Sequence, residues 1–164
     1  TKGEGSAGAV AEAVARASGK LTGQFTSPHF LRFNERIQVG GQEAEDSEIV
    51  AAFEQIDAAR DEISLTYFEF ATLAALLIFR QRGVELAILE VGLGGRLDAV
   101  NIVDPSVAVI TSIDLDHQDW LGDDLDSIGR EKAGILRVGI PAVIADPRRA
   151  AIVVAVAVSE CAAS

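Results

Sequence analysis

The sequence predicts an α/β domain built on a doubly wound, mostly parallel sheet, and two patterns support this fold class. First, three short and nearly continuous apolar runs are typical of strands buried on both faces of a parallel sheet: Leu86–Val91, Val107–Ile110 and Pro141–Ala145. Second, predicted helices alternate with these strands, which is the order of a doubly wound fold. The length of 164 residues and the 49% hydrophobic content suit one domain with a packed core, residues 1–164.

The first part of the chain supplies a helix and two short strands to this fold. Ala7–Ser18 is alanine-rich and is followed by Gly19, so we predict a helix that ends at this glycine. The next segments are predicted to be a strand, a loop, and a strand edge with its turn: Leu21–Phe25, Thr26–Arg36, and Ile37–Val39 with Gly40-Gly41.

Further helices are predicted from periodicity and capping signals. Asp46–Ile63 has apolar residues on one face at helical spacing. Thr66 and Glu69 match a capping box, which starts a helix that ends at Gly83. We expect that helix to bury Phe70, Leu73, Leu77 and Ile78.

The last two predicted helices lie nearer the end of the chain. Leu125–Leu136 falls between two of the apolar strands and completes the alternation of helix and strand. Ala150–Ala163 is harder to assign, because its valines favour a strand whereas its length and alanines favour a helix. We predict a helix there.

Composition excludes several classes of function. The net charge of −11 repels phosphate backbones, and no basic stripe offsets it, so we expect no nucleic-acid partner. No apolar run reaches the ~18–20 residues of a membrane span. The single cysteine, Cys161, cannot form an internal disulfide, which favours a reducing, cytoplasmic compartment. The chain has no methionine and begins inside a glycine-rich loop, so we interpret it as a fragment or an engineered piece.

That opening loop, Gly3-Glu4-Gly5-Ser6, is the first of four polar clusters at predicted strand ends or helix starts. A glycine-rich turn that leads into a helix offers backbone N–H groups to a phosphate. A serine hydroxyl at the helix start can bind Mg²⁺, and Ser6 occupies that place. The alternative is a plain glycine turn in which Ser6 serves only as the N-cap.

Two further clusters follow predicted strands. Ser27, in the Thr26–His29 loop, is a candidate metal or phosphate ligand, although a Ser-Pro loop is often only a turn. Glu90 ends a buried strand, where a carboxylate needs a cationic partner, so we favour a metal ligand over a salt bridge to Arg96. The glycines after Glu90 would allow a ligand to approach closely.

The fourth cluster contains His117, which follows the strand Val107–Ile110 among carboxylates and is a candidate metal ligand. A lone histidine is more often structural. Lys132 follows on the next predicted helix, beside Glu131. By itself such a lysine is a solvated charge.

Six motifs occur in order along Thr1–Pro147: Phe25-Thr26-Ser27-Pro28-His29, Arg32-Phe33-Asn34-Glu35-Arg36-Ile37, Ser64-Leu65-Thr66-Tyr67-Phe68-Glu69-Phe70, Glu90-Val91-Gly92-Leu93-Gly94-Gly95-Arg96-Leu97-Asp98, Asp116-His117 and Glu131-Lys132-Ala133-Gly134-Ile135. Together they resemble the Mur ligase superfamily, and most closely its folate branch, dihydrofolate synthase and folylpolyglutamate synthase. The resemblance implies a P-loop NTPase-like central domain, with the first strand and the C-terminal glutamate-binding domain absent from this chain.

The resemblance also implies an activity. ATP would phosphorylate a pteroate or folate carboxyl group, and the amino group of glutamate would attack the acyl phosphate to give an amide. The small-molecule substrates would be dihydropteroate or folate, glutamate and ATP, with two Mg²⁺ ions that neutralise the charge developing during transfer.

Site residues follow from the same resemblance. Gly3, Glu4, Gly5 and Ser6 would bind the nucleotide. Ser6, Ser27 and Glu90 would hold the first Mg²⁺, and His117 the second. Lys132 would be the lysine that the family carbamylates, which makes an anionic group from a cation. The pterin-side contacts would be Thr66, Tyr67, Phe68, Leu97, Asp98 and Ala99.

One position departs from the family pattern. Glu4 stands where the family has the lysine that reaches the β- and γ-phosphates, so an anion faces an anion. We therefore expect weak or absent turnover in this chain. The alternatives are a non-catalytic remnant that keeps the fold, and a generic P-loop kinase or NTPase, against which the Ser-Pro-His and Glu-Lys-Ala-Gly-Ile motifs argue.

Overall fold

A computed structural model describes residues 4–111, 125–145 and 153–154 of the chain. These residues fall into two compact units: one spans Gly5–Gly92, and the other holds the described residues from Leu93 onward together with Glu4. Each unit combines helices with strands and contains a parallel strand pair. The predicted α/β class is therefore confirmed, and the strands are hydrogen-bonded in two sheets, one in each unit.

The first unit contains three helices and four strands. The helices are α1 (Glu4–Ala17), α2 (Asp46–Ala59) and α3 (Tyr67–Arg82). The strands are β1 (Thr22–Phe25), β2 (Ile37–Val39), β3 (Gln42–Glu43) and β4 (Leu86–Leu89), and a 3₁₀ turn, Phe33–Arg36, leads into β2.

The sheet of this unit has the strand order β3-β2-β1-β4. Strand β1 is antiparallel to β2 and parallel to β4, with Thr22 opposite Leu86 and Phe25 opposite Leu89. Because β1 and β4 run in the same direction and in register, the residues that follow them emerge at the same edge of the sheet.

The predicted turn between β2 and β3 is a two-residue hairpin at Gly40 and Gly41. Both glycines have positive φ, +60° and +77°, which is the conformation of tight hairpin turns that match the twist of the strands. The Arg16 guanidinium of α1 donates a hydrogen bond to the Gly40 carbonyl at 3.0 Å, so the helix also holds the turn.

Helix α1 begins at Glu4, earlier than predicted, and ends before Gly19, whose φ is +83°. It contacts β1 through a polar face, because the buried Thr22 hydroxyl donates to the buried Glu12 carboxylate at 2.8 Å. Val10 and Val14 lie on the other side of the helix and are 64% and 63% exposed.

The capping signals of α3 are confirmed. The Glu69 backbone N–H donates to the Thr66 hydroxyl at 3.2 Å, and the Thr66 N–H donates to the Glu69 carboxylate at 2.6 Å. Gly83, with φ +69°, ends the helix. Helix α2 is shorter than predicted and ends at Ala59, after which Arg60 caps it.

The predicted buried face of α3 is largely wrong. Phe70, Leu73 and Leu77 remain partly exposed, and of the predicted set only Ile78 is buried. The buried face is made mostly of small residues, because α3 packs closely on both α2 and the sheet. Its members are Ala71, Thr72, Ala74, Ala75, Ile78 and Phe79.

The second unit contains a parallel pair, β5 (Ala108–Ile110) and β6 (Ala142–Ile144), and helix α4 (Leu125–Ala133), which ends before the predicted Leu136. A 3₁₀ turn covers Ala99–Ile102. Its core cluster is formed by Ile110, Ile128, Ala133 and Val153.

The expectation that the apolar strands are buried on both faces is wrong. Leu86, Val109 and Val143 are 40%, 49% and 53% exposed. Within the described residues, each of β4, β5 and β6 pairs with one neighbouring strand and is an edge strand of its sheet, which is a more exposed position than the centre of a sheet. Of the segment Ala150–Ala163, Val153 and Val154 are described and helical, and the rest lies outside the described residues. The described helices include none with the length and apolarity to cross a membrane.

Candidate functional site

The carboxyl ends of β1 and β4 bring together Ser27 and Glu90, two of the predicted metal ligands. The Ser27 backbone N–H donates to Oε2 of Glu90 at 3.2 Å. The Glu90 N–H in turn donates to the Phe25 carbonyl at 2.9 Å, which continues the parallel ladder past the ends of the strands. Both side chains are half-buried.

The donor set at this edge suits a hard divalent cation. A carboxylate and a serine hydroxyl are oxygen ligands, and Mg²⁺ commonly binds one or two carboxylates while keeping waters and substrate phosphates. Among the residues that the structure describes, no group of three or more His, Cys, Asp or Glu side chains could hold a metal. Ser27 and Glu90 therefore offer oxygen ligands of the kind that Mg²⁺ prefers.

The predicted glycine-rich loop is in part helical. Glu4, Gly5 and Ser6 form the first turn of α1, so Ser6 is not the N-cap that the alternative interpretation required. Gly3 and the Glu4 side chain lie outside the described residues. The first turn of a helix leaves backbone N–H groups unpaired, and a Cβ added at Gly5 would meet no atom within 4 Å, so this turn is open.

The loop after β1 is fastened by Arg36 at the end of the 3₁₀ turn. Ser27-Pro28 is a cis peptide, and the Thr26 N–H donates to the Arg36 carbonyl at 3.0 Å. The Arg36 side chain, 7% exposed, donates from Nε to Nδ1 of His29 at 2.8 Å. Its guanidinium also lies 5.4 Å from the centre of the Tyr67 ring.

Glu35 holds the tip of the same loop. Its carboxylate accepts three backbone hydrogen bonds, from Phe30, Leu31 and Arg32, at 2.8, 2.7 and 2.6 Å. These donors, led by the Phe30 N–H, lower the pKa of Glu35 below its ordinary value. The side chains of Phe30 and Leu31 are each 90% exposed on this fixed backbone.

Asn34 completes the motif. Its amide donates to the Ala44 carbonyl at 2.8 Å and to the Asp46 carboxylate at 2.7 Å, which ties the turn to the start of α2. The run Arg32–Ile37 carries part of the family resemblance, but no role was predicted for Asn34, Glu35 or Arg36. A signal was present, because three hydrogen-bonding side chains in succession are costly to bury without partners.

The predicted substrate contacts on α3 have different surroundings. The Thr66 hydroxyl is engaged in the capping box, whereas Tyr67 is 60% exposed with its ring edge against Phe33 at 5.9 Å. Phe68 packs on Phe25, with ring centres 5.7 Å apart.

Gly92 is explained by Phe68 rather than by a ligand. A Cβ at position 92 would lie 2.6 Å from Cζ of the Phe68 ring, which is closer than packed atoms approach. The expectation that this glycine makes room for a ligand is therefore corrected for Gly92, since a side chain of the protein occupies the space.

In the second unit, the predicted contacts Leu97, Asp98 and Ala99 lie in a loop that Asp98 organises. Its carboxylate accepts the Leu93 N–H at 3.0 Å and the Val100 N–H at 2.9 Å, the latter as the cap of the 3₁₀ turn. Leu97 is 78% exposed, and Ala99 begins the turn.

Lys132 lies in the last turn of α4 and is half-buried. Arg96, the alternative partner considered for Glu90, forms an ion pair with Glu131 at 2.9 Å. His117 lies outside the described residues. The structure thus joins Ser27 to Glu90 and, separately, the loop of Leu97–Ala99 to the end of the helix that carries Lys132.

Comparison with known proteins finds relatives that carry the same kind of name. The chain is 54% identical over 147 residues to dihydrofolate synthase/folylpolyglutamate synthase of Escherichia coli strain K12, which covers 90% of this chain and 35% of that protein. It is 40% identical over 164 residues to folylpolyglutamate synthase of Lacticaseibacillus casei, covering 94% of this chain and 38% of that protein. The chain therefore spans about a third of the length of these curated relatives.

Solved structures agree with the sequence relatives. A structure of E. coli FolC in complex with DHPP and ADP has a TM-score of 0.94 at 51% identity, covering 97% of this chain and 38% of that one. The bifunctional folylpolyglutamate synthase/dihydrofolate synthase of Yersinia pestis, complexed with AMPPNP and Mn ion, has a TM-score of 0.92 at 53% identity, covering 97% and 39%. The Mur ligase middle domain model matches residues 37–150, and the chain belongs to this family.

Proposed function

We propose that this chain is the ATP-binding part of a ligase that joins glutamate to dihydropteroate or folate through an acyl phosphate. The observation that carries the proposal is the Ser27–Glu90 pair at the carboxyl ends of two parallel strands, in a chain of the Mur ligase family. The relatives support the substrate class, since E. coli FolC was solved with DHPP and ADP, and a bifunctional folylpolyglutamate synthase/dihydrofolate synthase with Mn, AMPPNP and L-glutamate.

The nucleotide would lie at the start of α1. We assign its phosphates to Gly3, Glu4, Gly5 and Ser6, where the first helical turn offers backbone N–H groups. This assignment extends the proposal to residues 1–164 as one Mur ligase-type ATP-binding domain.

Magnesium would be held by oxygen ligands from these elements. Ser6, Ser27 and Glu90 are assigned to one ion and His117 to a second. When bound, Mg²⁺ would neutralise the negative charge that develops on the phosphates. Glu90 supplies the protein's carboxylate, and the Ser27 N–H orients that carboxylate.

Lys132 is assigned to catalysis together with His117. A free ammonium would repel a nearby Mg²⁺, so we propose that Lys132 carries a carbamate in the active protein. Its half-buried place in the last turn of α4 supports a role beyond that of a solvated charge.

We assign contacts with the pterin-containing substrate to the start of helix α3 and, in the second unit, to the loop of Leu97–Ala99. Tyr67 and Leu97 are apolar surfaces exposed by 60% and 78%, which supports a role in ligand contact. Phe68 and Ala99 are assigned with them. The side chains of Thr66 and Asp98 already make hydrogen bonds within the fold. We assign both residues to substrate contact as well, together with the backbone around them.

Glu4 argues for a weak form of this activity. A carboxylate at the position of the phosphate-binding lysine places like charges together, so we expect turnover far below that of the relatives. A non-catalytic remnant that keeps the fold is the second candidate. The single cysteine supports a reducing compartment, and we propose the cytoplasm.

Isothermal titration of the folded 164-residue chain with ATP, with and without Mg²⁺, and with dihydropteroate tests the proposal. We expect Mg²⁺-dependent ATP binding and separate dihydropteroate binding. If a folded sample binds neither ligand, the chain does not keep a working site. Transfer of the γ-phosphate to a hydroxyl substrate would instead support a generic kinase.

A further inference from the structure

In the second unit, the loop of Gly95 and Arg96 is interlocked with the end of helix α4. The Arg96 N–H donates to the Glu131 carbonyl at 2.8 Å, and the Arg96 side chain donates twice to the Glu131 carboxylate, from Nε at 3.1 Å and from a terminal nitrogen at 2.9 Å. Arg96 therefore binds both the backbone and the side chain of Glu131, the residue before Lys132.

Two glycines make the approach of these backbones possible. A Cβ at Gly95 would lie 2.6 Å from the Glu131 carbonyl oxygen and 3.4 Å from Cα of Lys132. A Cβ at Gly134 would lie 2.7 Å from Cα of Arg96. Because the Glu131 carbonyl oxygen and the Cα and Cβ atoms of Arg96 cannot move without their backbone, neither position can take a side chain unless the loop moves away from the helix.

Asn101 adds a bridge to the same contact. Its amide donates to the Arg96 carbonyl and to the Gly134 carbonyl, at 3.0 Å each. Arg137 donates to the Gly134 carbonyl at 3.2 Å and to the Asn101 carbonyl at 3.0 Å. The Gly134 carbonyl, just past the end of α4, thus receives its hydrogen bonds from the side chains of Asn101 and Arg137.

We infer that Arg96 is a positioning residue that fixes Lys132 through Glu131, and that the loop of Leu97–Ala99 and the Lys132 turn move as one body. The inference rests on the proposed function for the roles of Lys132 and of the loop. It adds that occupancy of the substrate-contacting loop is transmitted to the lysine, since Gly95, two residues before Leu97, lies against the backbone of Lys132.

The ion pair between the Arg96 and Glu131 side chains can be tested separately from the backbone hydrogen bond between the same two residues. Arg96 and Glu131 side chains are 50% and 23% exposed, and such a pair contributes little to global stability. Arg96→Gln should therefore leave the chain folded while it loosens the turn that holds Lys132.

Lysine acetylation gives a direct readout, because the chain has three lysines, Lys2, Lys20 and Lys132. Acetic anhydride at low dose and peptide mass spectrometry report the labelling rate of each lysine. We expect Arg96→Gln to speed labelling of Lys132 by about threefold or more, on the scale of one exposed ion pair. Lys20, in the first unit, should keep its rate.

The matched control is Arg82→Gln. Arg82 pairs with Glu48 at 2.8 Å, with side-chain exposures of 49% and 25%, nearly identical to those of the Arg96 pair. This variant should leave Lys132 labelling at the wild-type rate. A rise as large as that of Arg96→Gln would show general loosening and would overturn the inference.

Rescue separates positioning from simple loss of structure. The charge-reversed double variant Arg96→Glu with Glu131→Arg should return Lys132 labelling toward the wild-type rate. Arg96→Lys keeps the charge without the two-nitrogen fork, so it should give an intermediate rate, and it replaces Arg96→Gln if that variant unfolds. An unchanged Lys132 rate in the folded Arg96 variants overturns the inference, whether or not the chain binds ATP.

Discussion

The backbone N–H of Ser27 donates a hydrogen bond to Oε2 of Glu90 across the ends of two parallel strands, at 3.2 Å. The Glu90 carboxylate is therefore oriented before any ligand arrives, which lowers the cost of ordering it on binding.

Glu90→Gln tests the charge of this carboxylate. The glutamine carbonyl can still accept the Ser27 hydrogen bond, so stability should change little, whereas Mg²⁺-dependent ATP binding should weaken by about tenfold or more because a full charge near the cation is lost. Titration calorimetry measures the binding, and urea unfolding measures the stability. Glu85→Gln, at the opposite end of β4, is the control with the same charge change, and it should bind as the wild type does. Equal binding by the two variants would contradict the assignment of Glu90.

Glu4→Lys should strengthen Mg-ATP binding. The change replaces an anion by a cation where the family pattern has lysine, and the expected gain is about tenfold or more after screening. Glu43→Lys on strand β3 makes the same change of net charge at an exposed site, so it measures the effect of overall charge alone. If both variants gain Mg-ATP affinity equally, the effect comes from overall charge and not from the position of Glu4.

Arg36→Gln should destabilise the first unit. The substitution removes a buried guanidinium that donates to His29 and lies against the Phe33 and Tyr67 rings, and we expect a loss of about 1–3 kcal/mol in the free energy of unfolding. Urea unfolding measures it. In a Tyr67→Leu background the loss should be smaller, because one ring contact is already gone. A loss of the same size in both backgrounds would show that the Tyr67 contact contributes nothing.

Acid should weaken the loop that Glu35 holds. The folded-state pKa of Glu35 lies below its ordinary value of 4.5, so its stabilising contribution is complete above about that pH and is lost as the pH falls through the folded pKa. The stability difference between the wild type and Glu35→Gln should therefore be largest near neutral pH and should shrink below about pH 4.5. Urea unfolding across pH 3–7 measures it, with Glu54→Gln on α2 as the exposed reference. A stability difference that stays constant with pH would show that the three backbone N–H groups do not stabilise the ionised Glu35 carboxylate.

Gly92→Ala should cost about 1–3 kcal/mol of stability, since the new methyl group would overlap the Phe68 ring. Combining it with Phe68→Leu, which removes the ring, should recover part of that loss. Thermal unfolding of the two single variants and the double variant gives the coupling. Strictly additive effects would mean that the ring is not the obstacle.

Local signals predicted local structure well. Thr66 and Glu69 identified the start of α3, and Gly83 its end, because both caps depend on groups within one helical turn. The ends of β1 and β4, which precede Ser27 and Glu90, were also predicted closely, because polar residues follow each predicted strand.

Contacts between distant segments could not be predicted in the same way. The burial of Ala71 and Ala75 in place of Phe70 and Leu73 depends on how closely α3 approaches its neighbours, which no periodicity encodes. The role of Gly92 depends likewise on Phe68, a residue from another element. His117 stays a prediction, as does the structure of Ala150–Ala163 beyond the two described valines.

The buried hydrogen bond from Thr22 to Glu12 has a consequence for how α1 finds its place. A helix that docks through apolar side chains can slide by a turn at modest cost, but a slide here would separate the buried Glu12 carboxylate from the Thr22 hydroxyl and leave it only Arg16 of its own helix, at 3.7 Å. The hydrogen bond from Thr22 to Glu12 therefore favours one register of α1 on β1. That register also fixes where Gly5 and Ser6, in the first turn of α1, lie relative to the end of the sheet.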